Sequence, residues 1–241
     1  MAHIVRVTAS EEIYQTLRSE ILSLRFKPGE ELNLQLLSEQ LQVSRSPVRD
    51  ALMKLSGDNL VDIYPQKGTR VSLIDLKQVN EERFLRKSLE ESAVRKFINI
   101  YSEEHLLLME ESILLQKKTM KDENFVDFLI ADEAFHGVIF SGINMSRIWK
   151  LIQSQGGNHH RIRLLSLSEK NVLANIIEQH QNILDALRSK NLKELLGLED
   201  KHLSKLLQET ESMILHFPHY FKKETPAHPF YMRNTYAKEL S

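Results

Sequence analysis

Two short runs of alternating side chains, LVDIY (60–64) and TRVSL (69–73), are the last strand-like segments in this chain. From Asp75 onward that alternation vanishes, and apolar residues recur at three- and four-residue spacing instead. This switch restricts the chain to a mainly α fold with one small β element near its N-terminal end. The two runs flank PQKG (65–68), so they are predicted to form a hairpin. Upstream, EEIYQTLRSEILSL (11–24) places Ile13, Leu17, Ile21 and Leu24 on one helical stripe, and Pro28-Gly29 marks the turn after it. Asn33 is placed to cap a second helix through LQLLSEQL, and a third runs from Ser44 to about Ser56, ended by GDN. Three helices and a hairpin wing make a winged helix-turn-helix.

Beyond the hairpin the periodicity predicts six helices, near 76–100, 102–120, 123–142, 145–168, 171–189 and 192–215. With short connections such as SGIN and RSKN between them, an antiparallel six-helix bundle follows. The expected organisation is 1–75 as the winged helix-turn-helix, 76–216 as the bundle and 217–241 as a C-terminal tail. The joint SLIDL (72–76) is short and lacks Gly and Pro, so the two units are expected to communicate. The aromatic tail HFPHYFKKETPAHPFYMRNTYAKELS (216–241) is expected to pack either on the bundle or on a second subunit.

Composition narrows the function. There are no cysteines, which excludes disulfides, thiolate metal sites and cysteine nucleophiles. No apolar run reaches the ~18 to 20 residues a membrane span needs, and MAHIVRVTASEE has no apolar core of a signal peptide. A cytoplasmic protein with no membrane partner is expected. The net charge of −1 does not announce a nucleic-acid binder, and residues 1–73 hold nine Lys/Arg against nine Asp/Glu. DNA contact must therefore rest on where the cations sit.

They sit well on the third helix, SRSPVRDALMKL (44–55). Val48, Ala51, Leu52 and Leu55 make its apolar face, while Arg45 and Arg49 lie one turn apart on another. Arginine can bridge guanine O6 and N7 with two hydrogen bonds. Ser44 and Ser46 can cap the helix or donate to phosphate, and Pro47 costs little in the first turn. At the wing tip, Lys67 and Gly68 suit contact with the DNA backbone or minor groove. The alternative is a solvated helix that happens to carry two arginines.

The residues quoted so far resemble the DNA-binding domain of the GntR family of bacterial transcription regulators. The matching stretches are ILSLRFKPGEEL, LSEQLQVSRSPVRDALMKL, NLV and QKGTRV. The resemblance implies DNA contacts from Arg45, Arg49 and Gly68. Two departures are Leu24 and Asn59, both at helix ends where the family has glycine. Asn tolerates the left-handed cap conformation, but Leu does not do so easily, so a different exit from the first helix is expected.

In the bundle, IADEAFHGVIF (130–140) holds Asp132 and His136 at i and i+4, on one helical face. His180 and His202 are equidistant from a turn near residue 191, so an antiparallel helix pair presents them at one level. One carboxylate and three imidazoles suit a divalent transition metal, with zinc as the expected ion and nickel, manganese or iron as alternatives. Ten histidines in the chain leave ordinary face-lining histidines as the competing reading. Residues 76–215 resemble the FCD effector domain of the FadR subfamily, and the six-helix count favours its VanR-like branch. Metal-binding members carry D-x3-H and two later histidines about twenty-two residues apart, matched here by Asp132, His136, His180 and His202. RKSLEESA (86–93) and SGIN also match family patterns.

The resemblance implies a small carboxylate effector beside the metal. Arg86 is the candidate for its other end, against a plain salt bridge to Glu82 or Glu90. Arg161 and Arg163 are further candidates for the cavity. At most one of His159 and His160 is expected to face inward, and Trp149 is read as core or dimer contact. The implied function is a ligand-responsive regulator, expected to be a repressor, binding a pseudo-palindromic double-stranded operator as a homodimer. A regulator for which the ion itself is the signal is one alternative. A metal-dependent hydrolase is another, disfavoured because no separate general base stands at convincing spacing.

Overall fold

The computed structural model describes residues 8–169, 171–204 and 210–223. Helix α1 (Ala9–Leu22), α2 (Leu34–Gln40) and α3 (Arg45–Gly57) precede an antiparallel hairpin of β1 (Val61–Tyr64) and β2 (Gly68–Val71). Val61 faces Val71 and Tyr64 faces Gly68, so the wing turn is tight. Gly68 has φ +100°, which only glycine adopts without strain. Asn33 caps α2, its Oδ1 accepting from the N–H groups of Gln35 and Leu36 at 2.9 and 3.1 Å. The segment before α2 also pairs with the wing. Gly29 N–H donates to Val71 O, Val71 N–H to Glu30 O, and Leu32 N–H to Thr69 O. No alternating run marks that segment, so this extra pairing was not expected.

After α1 the chain turns at Leu24, which adopts the left-handed φ of +58° despite its side chain. Left-handed backbone costs a non-glycine residue about 1–2 kcal/mol. The Leu24 side chain offsets it by packing against both the bundle core and the cluster at the joint. Asn59 takes the same conformation, φ +58°, as expected of Asn.

The remainder is helical, as α4 (Leu76–Ile100), α5 (Glu103–Lys121), α6 (Phe125–Gly142), α7 (Ser146–Gln155), α8 (Gly157–Ser166), α9 (Val172–Arg188), α10 (Leu192–Ser204) and α11 (Thr210–His216). The continuous helix expected over 145–168 is broken at Gly156. A Cβ at Gly157, the first residue of α8, would come within 2.7 Å of Leu60 Cδ2, so glycine there lets the bundle approach the winged unit. Helix α4 packs against α6, α8 and α10, α5 against α6 and α9, and α9 against α10. Phe97, Phe128, Phe135 and Phe140 fill the bundle core, while Leu17, Ile21, Val48 and Leu55 fill the winged unit. Among the described residues, no helix is long and apolar enough to cross a membrane.

A third, small core lies at the joint, where Ile74 and Val79 meet Ile162, Leu165, Met213 and Phe221. The C-terminal segment closes it. Ile74 N–H donates to Tyr220 O at 2.8 Å, and Lys222 N–H donates to Ile74 O at 2.9 Å. The first residues of the expected tail thus pack on the joint between the two units. Residues 224–241 lie outside the described residues. Beside this strap, the fully buried Arg161 spans the joint: Nη1 donates to Ser72 O at 2.6 Å and Nη2 to Asn158 Oδ1 at 2.9 Å. Asn158 Oδ1 also accepts from Asp75 N–H at 3.1 Å, and its Nδ2 donates to Gln78 and Glu82. Burial lowers the Arg161 guanidinium only to about 10, so it keeps its charge near neutral pH.

Candidate metal centre and DNA-facing surface

Helix α6 is buried on most sides, and one of its faces carries Asp132 and His136 into the bundle. Helices α9 and α10 form an antiparallel pair about the turn near residue 191, so His180 and His202 arrive at the same height. The result is a triangle of imidazole nitrogens. The three Nε2–Nε2 separations among His136, His180 and His202 are 3.2, 3.3 and 3.3 Å. Asp132 lies alongside, its Oδ1 3.6 Å from His180 Nε2 and its Oδ2 3.9 Å from His136 Nε2.

Those nitrogens are close enough to hydrogen-bond to each other, but the far sides of the rings argue otherwise. His180 Nδ1–H has Gln116 Oε1 at 2.9 Å, and His202 Nδ1–H has Gln179 Oε1 at 2.8 Å. His136 Nδ1 is bonded to the Glu90 carboxylate. Each acceptor holds the proton on Nδ1, which leaves three Nε2 lone pairs aimed at one point. Three lone pairs at this distance repel unless a cation lies between them. Donors bound at ~2.1 Å to a tetrahedral or octahedral ion are about 3.0–3.4 Å apart, which brackets these separations. The Asp132 carboxylate supplies the other half of the test, because its buried Oδ1 has no hydrogen-bond partner. The donor set fits a divalent transition ion, and these four residues could hold one.

The electrostatics agree. Burial opposes ionisation of Asp132, yet the Arg163 guanidinium bonded to it and the nearby imidazoles hold its carboxyl well below the usual range. Burial pushes His180 down to about 3, and burial with the neighbouring imidazoles depresses His202 as well. The His180 and His202 rings are thus favoured in the neutral form, the state in which imidazole binds metal. A second carboxylate group, Glu90 with Glu199, lies behind His136. Burial opposes ionisation of Glu90, but His136 and Arg86 bring it down to about 2. Burial, then the Glu90 charge, pushes Glu199 well above the carboxylate range. Glu90, bonded to both Arg86 and His136, backs the centre.

Arg86 lies 3.0 Å from Glu90, as one sequence alternative had it, and over the Trp149 ring. Its buried Nη2 nevertheless has no hydrogen-bond partner, and neither has Nη1 of Arg163, which lies 3.8 Å from the Glu133 carboxylate. Both residues, with His159, line two cavities. One, of about 50 Å³, adjoins Asp132 and His202. The other, of about 260 Å³, reaches α1 of the winged unit at Gln15, Arg18 and Ser19. His159 and His160 both line this larger cavity, so the expectation that at most one faces inward is corrected. Arg161 is turned to the joint and away from the cavities. Trp149 is core, stacked on Phe140.

Sequence reasoning missed Gln116 and Gln179, whose amides read as ordinary helix-face residues, and it left Arg163 without a partner. Neither amide is marked by its neighbours in sequence.

On the opposite end of the molecule, Ser44, Arg45, Ser46 and Arg49 are exposed on α3, and Lys67 and Gly68 are exposed on the wing. Among the described residues, Ser44 makes no side-chain cap bond. Val48, Ala51, Leu52 and Leu55 are buried, so α3 presents its arginine face to solvent.

Comparison with known proteins places both halves. Residues 9–71 match the family of bacterial regulatory proteins, gntR family, and residues 83–204 match the FCD domain. The chain is 25% identical over 215 residues to the HTH-type transcriptional repressor RspR of Escherichia coli, covering 89% of this chain and 94% of that one. It is 26% identical over 184 residues to the Nta operon transcriptional regulator of Aminobacter aminovorans, covering 76% and 86%. The solved structure of E. coli McbR/YncC superposes with a TM-score of 0.72 at 21% identity, over 88% of this chain and 99% of that one, which speaks for the fold. This chain belongs to the GntR family of bacterial transcription regulators, with an FCD domain behind its winged helix-turn-helix, and is a regulator of transcription rather than an enzyme.

Proposed function

We propose that the protein is a ligand-responsive repressor that binds a pseudo-palindromic operator as a homodimer. In this reading residues 1–75 read DNA and residues 76–216 sense a small organic acid beside a divalent transition metal, zinc before nickel, manganese or iron. Asp132, His136, His180 and His202 hold the ion, which supplies a Lewis-acidic contact for a carboxylate. Arg86 and Arg163 take the other end of the acid. Arg45 and Arg49 reach base edges, Ser44 and Ser46 meet phosphate, and Lys67 and Gly68 touch the backbone or minor groove.

The observation that carries the sensing half is the convergence of three Nε2 atoms within 3.3 Å, each with its Nδ1 held by an oxygen acceptor. The buried Arg86 Nη2, which has no hydrogen-bond partner, favours an organic anion over the reading in which the ion alone is the signal. The larger cavity, walled partly by α1, gives that anion a route to the DNA-binding unit. A coupling of ~1–3 kcal/mol would change operator affinity about 5- to 150-fold. The name of RspR as a repressor supports the sign assigned here.

The test joins metal analysis of the purified protein to an operator titration with and without chelator, across a range of salt. One ion per chain and a steeply salt-dependent affinity altered by a carboxylate support the reading. A metal-free protein whose operator affinity ignores both chelator and carboxylates would sink the sensing half and leave the regulator.

A further inference from the structure

Helix α5 has two working faces. Its buried side carries Gln116, which holds His180. Its other side exposes four leucines: Leu107 at 51%, Leu108 at 43%, Leu114 at 63% and Leu115 at 45%. No described residue covers them. Scattered exposed leucines need no explanation, but four on one 19-residue helix form a patch.

The pattern of that patch is palindromic about Glu111. Leucines stand three and four residues before it, and leucines stand three and four residues after it. Seven residues before it is Glu104, and seven after it is Lys118. The charge is polarised to match, with Glu103 and Glu104 in the first turn and Lys118 and Lys121 in the last. Glu110 stands apart from this face, tied to Arg188. A twofold interface requires a surface complementary to itself, so apolar residues must map onto apolar ones and each charge onto its opposite. A partner of unrelated sequence places no such demand.

We infer that the exposed face of α5 is covered by α5 of a second copy, packed antiparallel with the twofold axis at Glu111. Leu107 then lies against the partner's Leu115, Leu108 against the partner's Leu114, and Glu104 beside the partner's Lys118. The two Glu111 carboxylates meet at the axis, the one repulsive contact in the set. The heptad-like spacing of the face suits side chains interleaving along a shallow crossing angle. The inference rests on the homodimer reading above and assigns its surface.

Sedimentation equilibrium of the full-length protein tests it. The wild type is expected to dimerise. Leu107→Glu with Leu114→Glu is expected to raise the dimer Kd at least about 100-fold, because two charges per copy enter a closing apolar face. Both sites are exposed, so circular dichroism should show an intact fold. Glu104→Lys and Lys118→Glu should each weaken the dimer about fivefold, and the two together should restore it. Glu111→Gln should tighten it by a similar factor. A dimer indifferent to the leucine changes would overturn this face while leaving the dimer intact. Leucine sensitivity without rescue by the charge swap would overturn the antiparallel register. A wild type that stays monomeric would overturn both this face and the homodimer reading.

Discussion

Gln116 offers the sharpest test of the metal centre because its removal should separate affinity from stability. The residue is fully buried on α5, and its Oε1 accepts the His180 Nδ1 proton at 2.9 Å. Its Nε2 has no partner. Gln116→Leu keeps the volume and deletes both atoms. His180 then has no acceptor at Nδ1, and its proton moves to Nε2, where the nitrogens of His136 and His202 lie 3.3 Å away. That tautomer occupies the lone pair the ion needs. Restoring it, with Nδ1–H now unsatisfied in a dry site, costs about 1–3 kcal/mol. This corresponds to a loss of ~10- to 100-fold in metal affinity. The metal-free protein should be no less stable, since a buried donor without a partner has gone. Competition against a chromogenic chelator measures the first quantity, and thermal unfolding in chelator measures the second. Unchanged metal affinity would refute the reasoning and assign ring orientation to Phe135, stacked on His180 at 4.2 Å.

Three other perturbations follow from the structure. Glu199→Gln should stabilise the metal-free protein at pH 8 and have little effect near pH 4.5. A carboxyl whose folded pKa is raised contributes stability below its unfolded value and loses it as pH rises, at up to ~1.4 kcal/mol per pH unit; an equal difference at both pH values in urea unfolding would contradict this. Arg49→Ala should cost about 1–3 kcal/mol of operator affinity and relax the preference at one base pair per half-site. Lys67→Ala should instead weaken all sequences alike and reduce the salt slope by about one, so a panel of operator variants tells base contact from phosphate contact.

The pattern of legibility follows the range of the interactions. Asp132 and His136 could be paired because four residues of helix fix their relation. His180 and His202 could be paired because a hairpin of two helices obeys a simple symmetry about its turn. The same is true of α3, whose buried and exposed faces are set by local period. The break at Gly156 was hidden because the apolar period continues through it, and the need for glycine at 157 comes from Leu60, far away in sequence. Arg163 and Arg161 sit two residues apart on α8 and looked alike, yet one turns to Asp132 and the other to Ser72. Gln116 and Gln179 carry no sequence signature, because an amide orienting a ligand and an amide facing water are the same residue type. Leu24 shows the opposite lesson: local propensity argued against its left-handed turn, and packing at the joint prevailed.

The strap from Tyr220 to Lys222 has a consequence for how the protein is made. The winged unit is complete in sequence by Val71, and its core draws on nothing later. Ile74, however, finds its backbone partners only in residues synthesised much later. At ~5–20 residues per second, roughly eight to thirty seconds separate the two events on the ribosome. Through that interval a nascent chain carries a finished winged unit on an unclasped neck, before its orientation against the bundle is set.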